Sequence, residues 1–106
     1  MNTERRRRSP AMQVLEDIAG GPLTFGGLLR ATREGESETQ EVFARRLGVS
    51  KSHLSDVENA RKVVSAARAA RWADVLGYSQ RQFVQLALQD ELREAGLPFR
   101  VDVHAA

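Results

Sequence analysis

The stretch from Gln40 to Glu58 reads QEVFARRLGVSKSHLSDVE, and it decides the fold. Small and apolar residues recur at helical spacing on both sides of one glycine, Gly48. They are Phe43, Ala44, Leu47, Val49, Leu54 and Val57. Gly48 lies where the first helix must end, a position that often needs a positive φ. The pattern therefore predicts two short helices joined by a tight turn.

The outer face of the second predicted helix is polar and carries short side chains. Its residues are Ser50, Lys51, Ser52, Ser55 and Asp56. A helix with a buried seam and such a face fits the major groove of DNA. A solvated surface helix would have the same polarity, so the face alone does not distinguish the two.

Together these features resemble the helix-turn-helix of the phage-repressor-like (Cro/CI, or XRE) family. The matching positions are Gln40, Ala44, Gly48, Leu54 and Val57. The resemblance runs from Leu23 to Tyr78. Leu28-Leu29-Arg30 with Arg33 resembles the family's first helix, and residues 58–62 (Glu-Asn-Ala-Arg-Lys) resemble its exit turn.

The exit turn departs from the family at Ala60, where the family usually has Gly. Asn59 beside it is a residue type that can itself adopt the left-handed conformation. The resemblance further implies a structural salt bridge between Arg30, late in the first helix, and Glu58, at the end of the recognition helix.

The resemblance also implies how DNA is contacted. Lys51, Ser52 and Asp56 would face base edges: Lys donates to guanine, Ser donates or accepts, and Asp accepts from cytosine N4. Ser50 and Ser55 belong to the same surface. Gln40 corresponds to a glutamine that contacts phosphate at a helix N-terminus.

Basic residues concentrate next to the predicted recognition helix. The formal net charge is only +2, but residues 60–72 hold four basic residues and no acidic one. Arg61 and Lys62 follow the helix directly and would touch phosphate, or else form a solvated turn. The last predicted helix is acidic at its end, with Asp90, Glu91 and Glu94.

The chain divides into four predicted parts. Residues 1–10 form a disordered basic arm, in which Arg5–Arg8 would be a minor-groove arm, a phosphate clamp or a solvated tail. Residues 11–22 form a short N-terminal segment containing Met12–Ile18. Residues 23–78 form the DNA-binding domain. The helices of residues 23–106 are expected after the N-caps Thr24, Thr39, Ser50, Ser65 and Ser79.

Residues 79–106 are predicted to form a helix, a short strand and the dimer contact. Phe99, Val101 and Val103 alternate with polar residues, as in a strand. No second strand is evident, so its edge would pair with the same strand of a second subunit. In the alternative, these side chains fold back on their own helices.

Several function classes are disfavoured. The chain has no cysteine, and its two histidines, His53 and His104, lack ligand-spaced partners, so no metal or cofactor is expected. Ser52 and His53 are neighbours about 100° apart on one helix and cannot form a catalytic relay, so no enzyme is expected. Trp72 and Phe83 are expected in the core.

The distribution of apolar residues bears on the location of the protein. No apolar run approaches the ~20 residues that span a membrane. No apolar signal core follows the N-terminus, so a cytoplasmic protein is expected.

The sequence thus predicts an all-α, five-helix helix-turn-helix domain with a short C-terminal β-strand. Its expected function is sequence-specific binding of double-stranded DNA as a homodimeric transcriptional repressor on a palindromic operator. The alternative is an antitoxin resembling the HigA type, which binds a toxin ribonuclease and represses its own operon. No toxin-binding surface is evident in the residues.

Overall fold

The computed structural model describes residues 23–106, and this part of the chain forms five α-helices. They are α1 Phe25–Gly35, α2 Gln40–Leu47, α3 Lys51–Glu58, α4 Ala66–Leu76 and α5 Gln80–Glu94. The predicted basic arm (1–10) and N-terminal segment (11–22) lie outside the described residues. None of the five helices is both long and apolar enough to span a membrane.

Each of the five described helices is preceded by a serine or threonine whose side chain satisfies a backbone donor. In each case the side-chain oxygen accepts the N–H of the residue three positions later, one of the donors that a helix start leaves unpaired. The capping residues are Thr24, Thr39, Ser50, Ser65 and Ser79. All five predicted caps are confirmed.

Each of the five described helices also ends in the same left-handed turn. The left-handed residue and its successor donate to carbonyls three and five positions earlier, which is the Schellman arrangement. The left-handed residues are Ser37, Gly48, Ala60, Gly77 and Gly96. Two of these five are not glycine, so the backbone is strained at the ends of α1 and α3.

The exit turn after α3 differs from the prediction for Asn59. Asn59 has a φ of −94°, and Ala60 itself takes the left-handed conformation with a φ of 59°. The hydrogen bonds of the turn fix this register, because the N–H of Ala60 donates to Val57 and that of Arg61 donates to Asp56.

The core is built around three aromatic rings from three helices. Phe25 of α1 stacks on Trp72 of α4 with centroids 6.2 Å apart, and meets Phe83 of α5 edge-on at 5.6 Å. All three are at most 3% exposed, so the prediction that Trp72 and Phe83 are core residues is confirmed. Asp90 of α5 adds a polar contact, because its Oδ2 accepts the Phe25 N–H at 3.0 Å.

The first and third helices touch backbone to backbone at Gly26. A Cβ at this position would lie 1.9 Å from the carbonyl oxygen of Val57 and 3.1 Å from the Cα of Glu58. Only hydrogen fits between the two helices. Gly26 therefore sets how closely α1 can approach the C-terminal end of α3.

The predicted C-terminal strand is wrong: residues 97–106 contain no strand. This segment instead folds back along α5, and two glutamines one turn apart satisfy its backbone. Gln89 accepts the Val101 N–H at 2.8 Å and donates to the Phe99 carbonyl at 2.9 Å, and Gln85 accepts the Val103 N–H at 3.2 Å. The alternation of apolar residues reflects an extended chain, but side chains of α5 take the place of a partner strand.

Candidate nucleic-acid interface

The face of α3 opposite the core carries the predicted base-contacting residues. Leu54 and Val57 are at most 1% exposed, and they anchor the helix. Lys51 and Ser52 lie exposed, and Ser55 and Asp56 are partly exposed. The structure thus brings these four side chains to one accessible surface.

Two of the serines have roles within the helix itself. Ser50 Oγ accepts the His53 N–H at 3.0 Å as the N-cap of α3. The carbonyl of Ser55 accepts from Asn59 Nδ2 at 2.8 Å, which helps to close the C-terminal end. The polar face is therefore held in place at both ends of an eight-residue helix.

The basic residues of this surface lie beside carboxylates. Lys51 Nζ is 3.8 Å from Glu41 Oε1 on α2. Asp56 approaches two cations, with Oδ1 3.8 Å from Arg61 Nε and Oδ2 3.8 Å from Lys62 Nζ. These ion pairs are exposed to solvent, so each contributes at most about 1 kcal/mol to stability.

The predicted pair of Arg30 with Glu58 is wrong, and Glu58 pairs with Arg33 instead. Arg33 donates from Nε to Oε2 at 2.8 Å and from Nη2 to Oε1 at 3.0 Å, a two-bond fork. Arg30 bonds to Glu34 at 2.9 Å, and both side chains are more than half exposed. Arg33 lies one turn beyond the buried Leu29, on the side of α1 that faces α3, whereas Arg30 points to solvent.

Glu58 is a buried hub that joins three helices. Its side chain is 2% exposed, and its Oε1 also accepts from Gln40 Nε2 at 3.1 Å. Arg33 further donates to the Glu38 carbonyl at 3.0 Å. The hydrogen bond to Glu58 raises the pKa of Arg33, so the arginine is charged at every relevant pH.

This hub places Gln40 at the start of α2, beside α3, with one amide hydrogen engaged inside the protein. A phosphate contact by Gln40 stays a prediction. The bond from its amide to Glu58 fixes the orientation of the Gln40 side chain.

A contact between Arg68 and His53, which the sequence pattern did not predict, joins α4 to α3. Arg68 Nη1 donates to His53 Nε2 at 3.4 Å, and both side chains pack on Trp72. Burial lowers the pKa of His53, and the nearby charges of Lys62 and Arg68 lower it further. His53 is thus a neutral packing residue at neutral pH. The spacing of Arg68 and Trp72, four residues apart on one helix, could have indicated that the guanidinium packs on the ring.

The described residues contain no group of three His, Cys, Asp or Glu side chains that could hold a metal ion. The surface formed by α2, α3 and the turn after α3 carries exposed hydrogen-bond donors and cations. Its chemistry suits bases and phosphates.

Comparison with known proteins gives the same picture. The sequence pattern of a helix-turn-helix domain family matches residues 24–86, more than half of the chain. The chain is also 42% identical over 55 residues to the uncharacterized HTH-type transcriptional regulator YazB of Bacillus subtilis (strain 168). That match covers 52% of this chain and 80% of the relative. No solved structure matches it significantly.

Proposed function

Since this chain belongs to the helix-turn-helix family, of the XRE type, we propose that it is a sequence-specific DNA-binding repressor. The observation that carries the proposal is the placement of α3. Its apolar side is locked into the core by Leu54 and Val57, and its outer side presents Lys51 and Ser52 to solvent. A helix held in this way enters a major groove without rearrangement.

The proposed contacts fall into two classes. Lys51, Ser52 and Asp56 contact base edges, with Ser55 beside them. Gln40, Ser50, Arg61 and Lys62 contact the phosphate backbone and fix the register of the helix. Of these, Arg61 and Lys62 are 62% and 53% exposed, so a backbone contact requires no unfolding of the turn.

We further propose that the repressor binds a palindromic operator as a homodimer. An eight-residue recognition helix spans few base pairs, and pairing places two such helices in grooves about 34 Å apart. Residues 79–106 are the proposed dimer contact. The exposure of Leu97 (45%) and Phe99 (62%) beside α5 supports this choice, since a second copy would cover them.

Selection of bound duplexes from random DNA tests the function directly. A palindromic consensus is expected, and failure to enrich any sequence would overturn the proposal. Lys51→Ala should then weaken binding to the consensus by about 1–3 kcal/mol while thermal stability stays the same. Arg30→Ala on α1 is the control, because it removes one exposed positive charge that belongs to neither the proposed DNA contacts nor the proposed dimer contact.

Sedimentation tests the dimer. The chain truncated after Gly96 should be monomeric at micromolar concentration, should keep its helical circular dichroism, and should lose much of its operator affinity. A truncated chain that is still dimeric would place the contact elsewhere.

A further inference from the structure

Asp56 and the two basic residues that follow α3 form one cluster, named here the Asp56 cluster (Asp56, Arg61 and Lys62). Each carboxylate oxygen of Asp56 faces a different cation at 3.8 Å. The cations are the side chains proposed to bind phosphate, and the carboxylate lies on the face proposed to contact bases. A negative charge on a DNA-binding surface opposes binding unless DNA offers it something in return.

The backbone holds this cluster together. The chain reverses at Ala60, and the Arg61 N–H donates to the Asp56 carbonyl at 2.7 Å. Residues 61 and 62 therefore return past the last turn of α3 rather than continuing away from it. Because backbone bonds close the turn, Arg61 and Lys62 lie beside Asp56, so a phosphate bound by them lies near its carboxylate.

We propose that Asp56 is a specificity-determining residue that suppresses binding to non-cognate DNA. When phosphates take up Arg61 and Lys62, Asp56 loses both cations and faces a polyanion. A cytosine N4–H₂ donor at the facing position compensates that loss, and a duplex without such a donor does not. Asp56 thus lowers the affinity for sequences that lack this cytosine and also contributes a hydrogen bond to the sequence that has it. This inference rests on the proposed DNA-binding function.

The exposed ion pairs themselves are weak, so the effect on folding is small. The effect on binding is larger, because DNA affinity depends on the number of phosphates that the protein neutralises. Loss of one opposing charge should steepen the dependence of log K on log salt concentration by up to about one unit.

Asp56→Asn tests the proposal, because it keeps the shape of the side chain and removes the charge. Fluorescence anisotropy with a random-sequence duplex at several salt concentrations measures the non-specific term. We expect the variant to bind the random duplex roughly 3- to 10-fold more tightly than the wild type, with a steeper salt slope. Its preference for the selected consensus over the random duplex should fall. A repeated selection should lose the cytosine at the facing position.

Asp74→Asn is the matched control, since it makes the same chemical change on α4, where the carboxylate accepts from Gln80 at 2.7 Å. An equal gain in both variants, or no gain in Asp56→Asn, would overturn the inference and leave the DNA-binding function intact. If neither the wild type nor Asp56→Asn binds any duplex, the proposed function fails as well.

The same Asp56→Asn change in a protein that carries Arg61→Ala and Lys62→Ala separates the effect of the two ion pairs from the effect of net charge. The gain from Asp56→Asn should become smaller in that background, because the carboxylate then has no ion pairs to lose when DNA binds and only its direct repulsion by the phosphates remains. A gain of undiminished size there would show that Asp56 acts independently of the two cations, and would overturn the mechanism. Unchanged circular dichroism verifies folding in each case.

Discussion

Replacing Gly26 with alanine should separate the first helix from the recognition helix. The added Cβ would lie 1.9 Å from the Val57 carbonyl oxygen, whereas real Cβ atoms essentially never come within 3.0 Å of such an atom. The two helices must therefore move apart by about 1 Å at this point. The obstacle is backbone, so no side-chain rotation relieves it.

The cost follows from two opposing terms. Overpacking of a rigid core typically costs ~1–3 kcal/mol and occasionally more, and a backbone-to-backbone clash belongs at the upper end. Alanine is a better helix former than glycine by about 1 kcal/mol, which offsets part of the cost. The net loss should be ~2–3 kcal/mol, which lowers Tm by roughly 10–20 °C for a domain of this size.

Gly35→Ala at the end of α1 is the matched control. Its Cβ would meet nothing within 4 Å, so this variant should gain up to ~1 kcal/mol from helix propensity. Thermal and urea unfolding followed by circular dichroism measure both proteins. If Gly26→Ala is as stable as Gly35→Ala, the close approach of α1 to α3 is not what requires glycine, and the reasoning is refuted.

Three further predictions concern single side chains. Ala60→Gly should raise the free energy of unfolding, measured by urea titration, by about 0.5–1 kcal/mol, because relief of left-handed strain exceeds the entropy cost of glycine; a lower free energy of unfolding would contradict the strained turn. Arg33→Ala should cost ~3–5 kcal/mol by leaving Glu58 buried without its cation, whereas Arg30→Ala should change stability by ~0.5 kcal/mol or less; equal melting temperatures would refute this difference. Burial raises the pKa of the Asp90 carboxyl above its ordinary 3.8. The stability that the protonated carboxyl contributes is therefore lost as pH rises through this raised pKa. Asp90→Asn should therefore gain in stability relative to the wild type between pH 3 and pH 7, and a relative loss over that range would be inconsistent with the burial.

The sequence by itself determined the local structure of this protein. Each N-cap is a Ser or Thr whose oxygen reaches a donor three residues away, and the glycine stops at Gly48 and Gly77 are closed by bonds to the preceding turn. Such interactions join residues at most five apart, so a linear pattern contains them. The apolar spacing of Leu54 and Val57 likewise fixed which side of α3 is buried and which is exposed.

Only the tertiary structure decided the long-range partners. Arg30 and Arg33 are both arginines on α1, and the choice of Arg33 for Glu58 depends on how α1 is rotated against α3. Gly26 looks like any helical glycine until α1 crosses Val57. The C-terminal segment alternates like a strand, but the glutamines of α5 supply its partners. In each case the deciding contact joins residues that lie ten or more positions apart. Its geometry therefore depends on the packing of whole helices, which no local spacing contains.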